Sequence, residues 1–222
     1  MPFLHEALII FQKDIRQEFR TRYTVNAILL FAVVTLVAVS FSIGTFSASN
    51  EVKSALLWII LFFSGMSGLS HIFIREEEKH TADTLKLVAR PLSIFLGKLL
   101  FNFVLFIAMQ IIIIPLFFAV MNFEVKGIFP FIIILSVGGI GLSAGSTLIA
   151  AIISKASARG ALFTVLAFPI LLPVLVAGIS GTKISVTSAD FSAVTAEFQM
   201  LIAYSVVVIT GAILLFDFVW KE

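Results

Sequence analysis

Leu99-Leu-Phe-Asn-Phe-Val-Leu-Phe-Ile-Ala-Met-Gln-Ile-Ile-Ile-Ile-Pro-Leu-Phe-Phe-Ala-Val-Met121 runs for 23 residues without Asp, Glu, Lys or Arg. A helix needs about 20 apolar residues to cross the hydrocarbon core of a bilayer, so this stretch has the length and the chemistry of a span. Five further stretches qualify: Val25–Ile43, Ser54–Ile74, Ile128–Ile153, Gly160–Ser180 and Phe198–Trp220. The only ionisable residues within the six are His71 and Asp217, each within a turn of a span end. A charge at mid-membrane costs about 2.5–3.5 kcal/mol on insertion scales, so their position is a consequence of the lipid solvent.

Composition agrees. Of 222 residues, 60% are hydrophobic, 13% are charged and 24 are Phe. A water-soluble fold needs about a quarter charged residues to cover its surface. The net charge of +2 points to no nucleic-acid partner. With no cysteine, disulfide frameworks, thiolate catalysis, Cys-based zinc sites and covalent Cys-x-x-Cys-His haem attachment are all excluded.

The basic residues orient the spans. With the N-terminus inside, inward segments hold twelve Lys and Arg: four before the first span, five in 75–98, two in 154–159, and Lys221. The outward segments hold three, Lys53, Lys126 and Lys183. The positive-inside rule therefore places both termini in the cytoplasm. The first apolar run, 19 residues after 24 that include acids, reads as an uncleaved anchor rather than a signal peptide. No internal repeat supports an inverted-repeat transporter, and residues 1–222 read as a single membrane domain.

Residues 3–22 are too charged to span, yet Leu4, Leu8, Phe11, Ile15 and Phe19 recur at helical spacing with Lys13, Arg16 and Arg20 opposite. That pattern predicts an amphipathic helix lying in the headgroup region, with Ile9 and Ile10 off its stripe. The fourth span carries Gly138, Gly139, Gly141 and Gly145, and the second carries Ser64, Gly65, Ser67 and Gly68. Small residues let helices approach closely, either inside the bundle or between two copies of the chain. Pro169 and Pro173 remove two backbone donors from the fifth span, predicting a break or kink of structural or gating use. His71, with Met66 nearby, reads as a polar helix end rather than a haem ligand. Glu124, Asp190 and Glu197 read as solvated outer-loop residues, and Asp217, one turn from Trp220, as an interfacial anchor.

Residues 75–98, from Arg75-Glu76-Glu77-Glu78-Lys79-His80-Thr81 to Lys98, form the longest inward segment. Thr81 is placed to cap a short helix, Asp83 lies in its first turn, and Pro91 stops it. Leu85, Val88 and Leu92 give that helix an apolar edge. Acids ahead of such an edge suit the docking of a partner; a solvated connector is the other reading.

Over nearly its whole length the chain resembles the haem exporter protein B (CcmB) family. The resemblance rests on six spans, the amphipathic N-terminus and three patterns in order. These are Arg75-Glu76-Glu77 through Leu85, Pro91 and Lys98; the Gly/Ser-rich fourth span running into Lys155 and Arg159; and Pro169-x-x-x-Pro173. His80 stands where the family pattern calls for glycine.

The resemblance implies an all-α integral membrane permease of ABC-2-like type in a bacterial inner membrane, within the ABC complex for cytochrome c maturation. It also implies a separate ATPase subunit, a tryptophan-rich haem-handling membrane subunit and a periplasmic haem chaperone, with haem handled by the complex. A second copy of the chain is a further candidate partner. The residues are consistent: there is no Gly-x-x-x-x-Gly-Lys-Ser/Thr loop to cradle ATP, and Trp58 and Trp220 are the only tryptophans. No catalytic residue, metal ligand or bound cofactor is assigned to this chain. An ABC-2-type exporter of lipid, drug or polysaccharide and a non-transporting assembly scaffold are the competing readings. An intramembrane enzyme would need ionisable residues clustered at membrane depth, which the spans lack.

Overall fold

The computed structural model describes residues 2–43, 48–154 and 159–221. Among these, the chain forms α1 (Pro2–Thr21), α2 (Tyr23–Ile43), α3 (Asn50–Leu69), α4 (His71–Glu78), α5 (Ala82–Val88) and α6 (Pro91–Met121). It continues as α7 (Ile128–Ile153), α8 (Arg159–Thr187), a 3-10 turn at Phe191–Val194 and α9 (Thr195–Lys221). No strand occurs among the described residues, and six helical segments are long and apolar enough to cross a membrane. In lipid a helix satisfies every backbone group internally, which is why the apolar runs take this form.

Ile128–Ile153 starts and ends where its hydropathy places it, but other spans overshoot. The second continues past a break at Ser70 through α4 to Glu78, and the third begins at Pro91 rather than Leu99. Residues 75–98 are therefore not a loop. Pro91 opens α6 at its first turn, where a missing N–H costs nothing, as well as following the end of α5.

Side-chain contacts define the two ends of the bundle. At one end the Trp220 ring lies 5.6 Å from Phe73, with the Lys86 ammonium 5.7 Å from its centroid. This joins the close of α9 to α4 and α5. At the other end Lys53 donates to the Asn122 carbonyl at 3.1 Å, and Lys183 pairs with Glu51 at 2.6 Å. These bonds join the start of α3 to the ends of α6 and α8. Lys13 of α1 bonds Glu76 of α4, so α1 lies at the same end as the close of α9.

The core is packed through small residues. Trp58 of α3 is wedged between α7 and α8: a Cβ added at Gly138 would meet its indole at 2.3 Å, and one at Gly178 at 2.5 Å. Its Nε1 donates to Thr182 at 2.8 Å. A Cβ at Gly141 would meet Val174 at 3.0 Å, and one at Gly145 would meet Leu171 at 2.3 Å. The glycine face of α7 is thus occupied by side chains of this same chain.

The break allowed for at Pro169 and Pro173 does not occur, since α8 is helical from Arg159 to Thr187. The Tyr204 hydroxyl of α9 donates to the Ile170 carbonyl at 2.8 Å, tying α9 to α8 between the two prolines. Glu197 is not solvated: its Oε1 accepts from Ser180 at 2.8 Å and its Oε2 is buried. Lys53 is buried as well, its ammonium drawn to the exposed end of α6. Lys155 lies outside the described residues.

Because the chain has no cysteine, single cysteines report sidedness directly. Cysteines replacing exposed Lys126 and Lys183 should react with an impermeant maleimide from one side of the membrane, and a cysteine at Thr84 only from the other. Labelling of all three from the same side would overturn the six-crossing arrangement.

Candidate functional site at the α1, α4 and α6 ion cluster

α1 presents two stripes. Leu4, Leu8 and Phe19 are exposed on the stripe that its hydropathy picks out, while Phe11 and Ile15 are half-buried. The other stripe, Ala7, Ile10, Asp14 and Glu18, is buried against the bundle. Gly97 of α6 permits the approach: a Cβ there would lie 2.7 Å from the Ala7 carbonyl. The next residue, Lys98, is fully buried.

An ammonium taken out of water costs several kcal/mol unless it is neutralised and hydrogen-bonded. Lys98 Nζ meets Glu76 Oε1 at 2.9 Å, Asp14 Oδ2 at 3.3 Å and the Ile72 carbonyl at 3.2 Å, and lies 5.3 Å from the Phe73 ring centroid. Lys13 donates to the same Glu76 oxygen and lies 3.3 Å from Asp14 Oδ1. Two ammonium groups and two carboxylates therefore balance. Thr81 Oγ1 closes the cluster, donating to Glu76 Oε2 at 2.6 Å.

A second knot ties α1 to α2 and α4. Glu18 accepts from the Thr24 and Val25 amides at 2.7 and 3.0 Å and from the Thr24 hydroxyl at 2.7 Å. Arg75 reaches both Glu18 and Thr24, at 3.0 and 2.7 Å. Burial pushes the Glu18 pKa up, but Thr24, Val25 and Arg75 outweigh it and hold the carboxyl below its ordinary range. The anchoring is complete at neutral pH and is lost as pH falls through that lowered value.

The sequence-derived site residues fall into two groups. Arg75 and Glu76 face inward, where they fasten α4 to α1 and α6. Thr81 holds the N-cap position of α5, but its hydroxyl is spent on Glu76 and makes no capping bond. Leu85 is buried. By contrast Glu78 and Asp83 are exposed, Glu77 is half-buried, and Leu87 and Val88 are 87% and 71% exposed. Between α1 and this α4–α5 elbow lies a cleft of about 400 Å³ lined by Lys13, Gln17, Arg75, Lys79 and Thr84. Pro169, Pro173 and the α7 glycines are not part of it. His71 packs edge-on against Tyr23, with ring centroids 6.0 Å apart.

Asp14, Glu18 and Lys98 were missed because charged residues next to spans are ordinarily solvated. The available signal was their spacing, since Ala7, Ile10, Asp14 and Glu18 also share one helical face.

The elbow has its own backbone logic. His80 has φ 54°, its N–H bonds the Glu77 carbonyl at 3.1 Å, and the Thr81 N–H bonds the Glu76 carbonyl at 2.9 Å. This is a Schellman close to α4, with His80 at the left-handed position that favours glycine. The expected family glycine thus has a physical reason, and His80 carries the strain.

Two outcomes follow from this geometry. Lys98→Met should cost about 3–5 kcal/mol by leaving two carboxylates to share the Lys13 ammonium. Combining it with Glu76→Gln should recover part of that loss, read as coupling in a double-mutant cycle of thermal unfolding. His80→Gly should raise stability by up to about 1 kcal/mol, and His80→Val should lower it, in the same assay.

A family model for CcmB protein matches residues 5–218, from the first turn of α1 to the last of α9. No curated protein matched the chain. The matched segment takes in the six spans, the ion cluster and the elbow between them. The chain belongs to the CcmB family, non-catalytic membrane permease subunits of the haem exporter system that serves cytochrome c maturation.

Proposed function

We propose that this chain transmits the work of a separate ATPase subunit across a bacterial inner membrane, with its α1, α4 and α5 end in the cytoplasm. The excess of Lys and Arg in the segments at that end supports the orientation. ATP hydrolysis in the partner then drives haem export or the release of a haem-loaded periplasmic chaperone, in a complex with a tryptophan-rich haem-handling membrane subunit. The chain itself has no phosphate-binding loop and contributes motion rather than chemistry.

The observation that carries this reading is the elbow. α5 offers Leu87 and Val88 to the surroundings, with Glu77, Glu78 and Asp83 beside them. Apolar side chains ringed by charge at a bundle end mark a protein contact. The contacts of the elbow support this reading. Glu76 fixes its start to Lys98 of α6, and Lys86 touches Trp220 of α9. A push on α5 is therefore delivered to α1, α6 and α9 together. Glu77 Oε1 is sheltered and has no hydrogen-bond partner among the described residues, which a basic side chain of the ATPase would satisfy.

Leu87→Asp combined with Val88→Asp tests the proposal, because both residues are exposed and the isolated chain should fold and insert normally. The expected result is loss of the co-purifying ATPase subunit and of c-type cytochromes. Retention of the ATPase with normal maturation would show that α5 is only a connector. Lys98→Met, which weakens the fold, is the contrasting variant.

A further inference from the structure

A second cleft lies on the flank of the bundle, away from the elbow. It has a volume of about 430 Å³ between α1, α2 and α6 and is lined by Phe19, Arg22, Asn26, Phe101, Val104 and Ala108, among others. It adjoins a narrower pocket that shares Val25, Leu105 and Ala108 and continues past Leu29 and Met109 to Ile112.

The two ends differ in chemistry. One end lies at the single-residue turn joining α1 to α2, where Arg22 is held at φ 52°. Arg22 and Asn26 are both exposed there. Glu18 also lines this end, but its carboxylate is occupied by Thr24, Val25 and Arg75. Beyond it the wall is wholly apolar. From Phe101 to Ile112 the axis of α6 rises about 16 Å, roughly half of the ~30 Å hydrocarbon core and hence about one leaflet.

We propose that this cleft holds one anionic glycerophospholipid, its phosphate at Arg22 and Asn26 and one acyl chain along α6 to Ile112. Length and charge select this occupant: the groove is one leaflet deep, and its cation sits at the headgroup end. Such a lipid would fill the space that α2 leaves, since the residues of α2 buried in the bundle are Thr24, Ile28, Ala32 and Leu36.

The test uses the full chain reconstituted in vesicles of equal parts phosphatidylglycerol and phosphatidylethanolamine, re-extracted in mild detergent and examined by native mass spectrometry. One phosphatidylglycerol per chain should be retained. Arg22→Gln should lower that retention about fivefold, the effect of one basic side chain at an anionic surface. Ala108→Trp and Val104→Trp fill the groove from exposed positions and should abolish retention with helicity unchanged. Val206→Trp, on the exposed face of α9, should leave it intact. Retention indifferent to headgroup, or unaffected by the two filling variants, would overturn the proposal. So would a Soret band on haemin titration that Ala108→Trp removes, which would give the groove to a haem instead.

Discussion

Lys98 is fully buried within a span-forming helix, and the geometry around it follows from keeping that charge tolerable. Glu76 must come from α4, so α4 must continue the second span beyond Ile74. Asp14 must come from α1, so α1 must lie flat against α6, which Gly97 allows. Thr81 must turn back onto Glu76, so the chain must reverse at His80. Each of these is a separate local event in the sequence, and one buried ammonium couples them. Replacing such a cluster by apolar residues can leave a protein equally stable, so its value lies in fixing which helices meet and in what register.

Elsewhere the bundle relies on fit. Lipid tails are as apolar as leucine, so the helices gain little from hiding hydrophobic surface from one another. Close approach takes its place. Trp58 fills the gap that Gly138 and Gly178 open, and its N–H finds Thr182. Ile28 of α2 sits where Gly68 leaves no side chain. The large residues therefore act as pegs and the glycines as holes, and polar atoms settle the rotation of each peg.

The spans were legible because hydropathy depends on little besides local composition. Ile128–Ile153 needed no tertiary information. The site was legible only in outline: Arg75 to Pro91 marked the right region, but Glu76 was taken for surface when it faces Lys98. The sequence of one helix cannot show that a carboxylate is neutralised by a cation 22 residues away. The same limit hid the inner stripe of α1, whose polar residues outweigh its small apolar ones. The prolines of α8 allowed a break or a kink, and the helix runs through them unbroken.

The spacing of the cluster in the chain also sets an order of events during synthesis. Asp14 and Lys98 are separated by 84 positions. At roughly 5–20 residues per second, the ribosome delivers the cation about 4 to 17 s after the carboxylate. Throughout that interval α1 carries Asp14 without Lys98, and for part of it Glu18 without Arg75, and water is the medium that will accept them. The first helix to be made therefore waits at the membrane surface and is among the last to be locked, and the nascent chain cannot seal this end until its third span has begun to emerge.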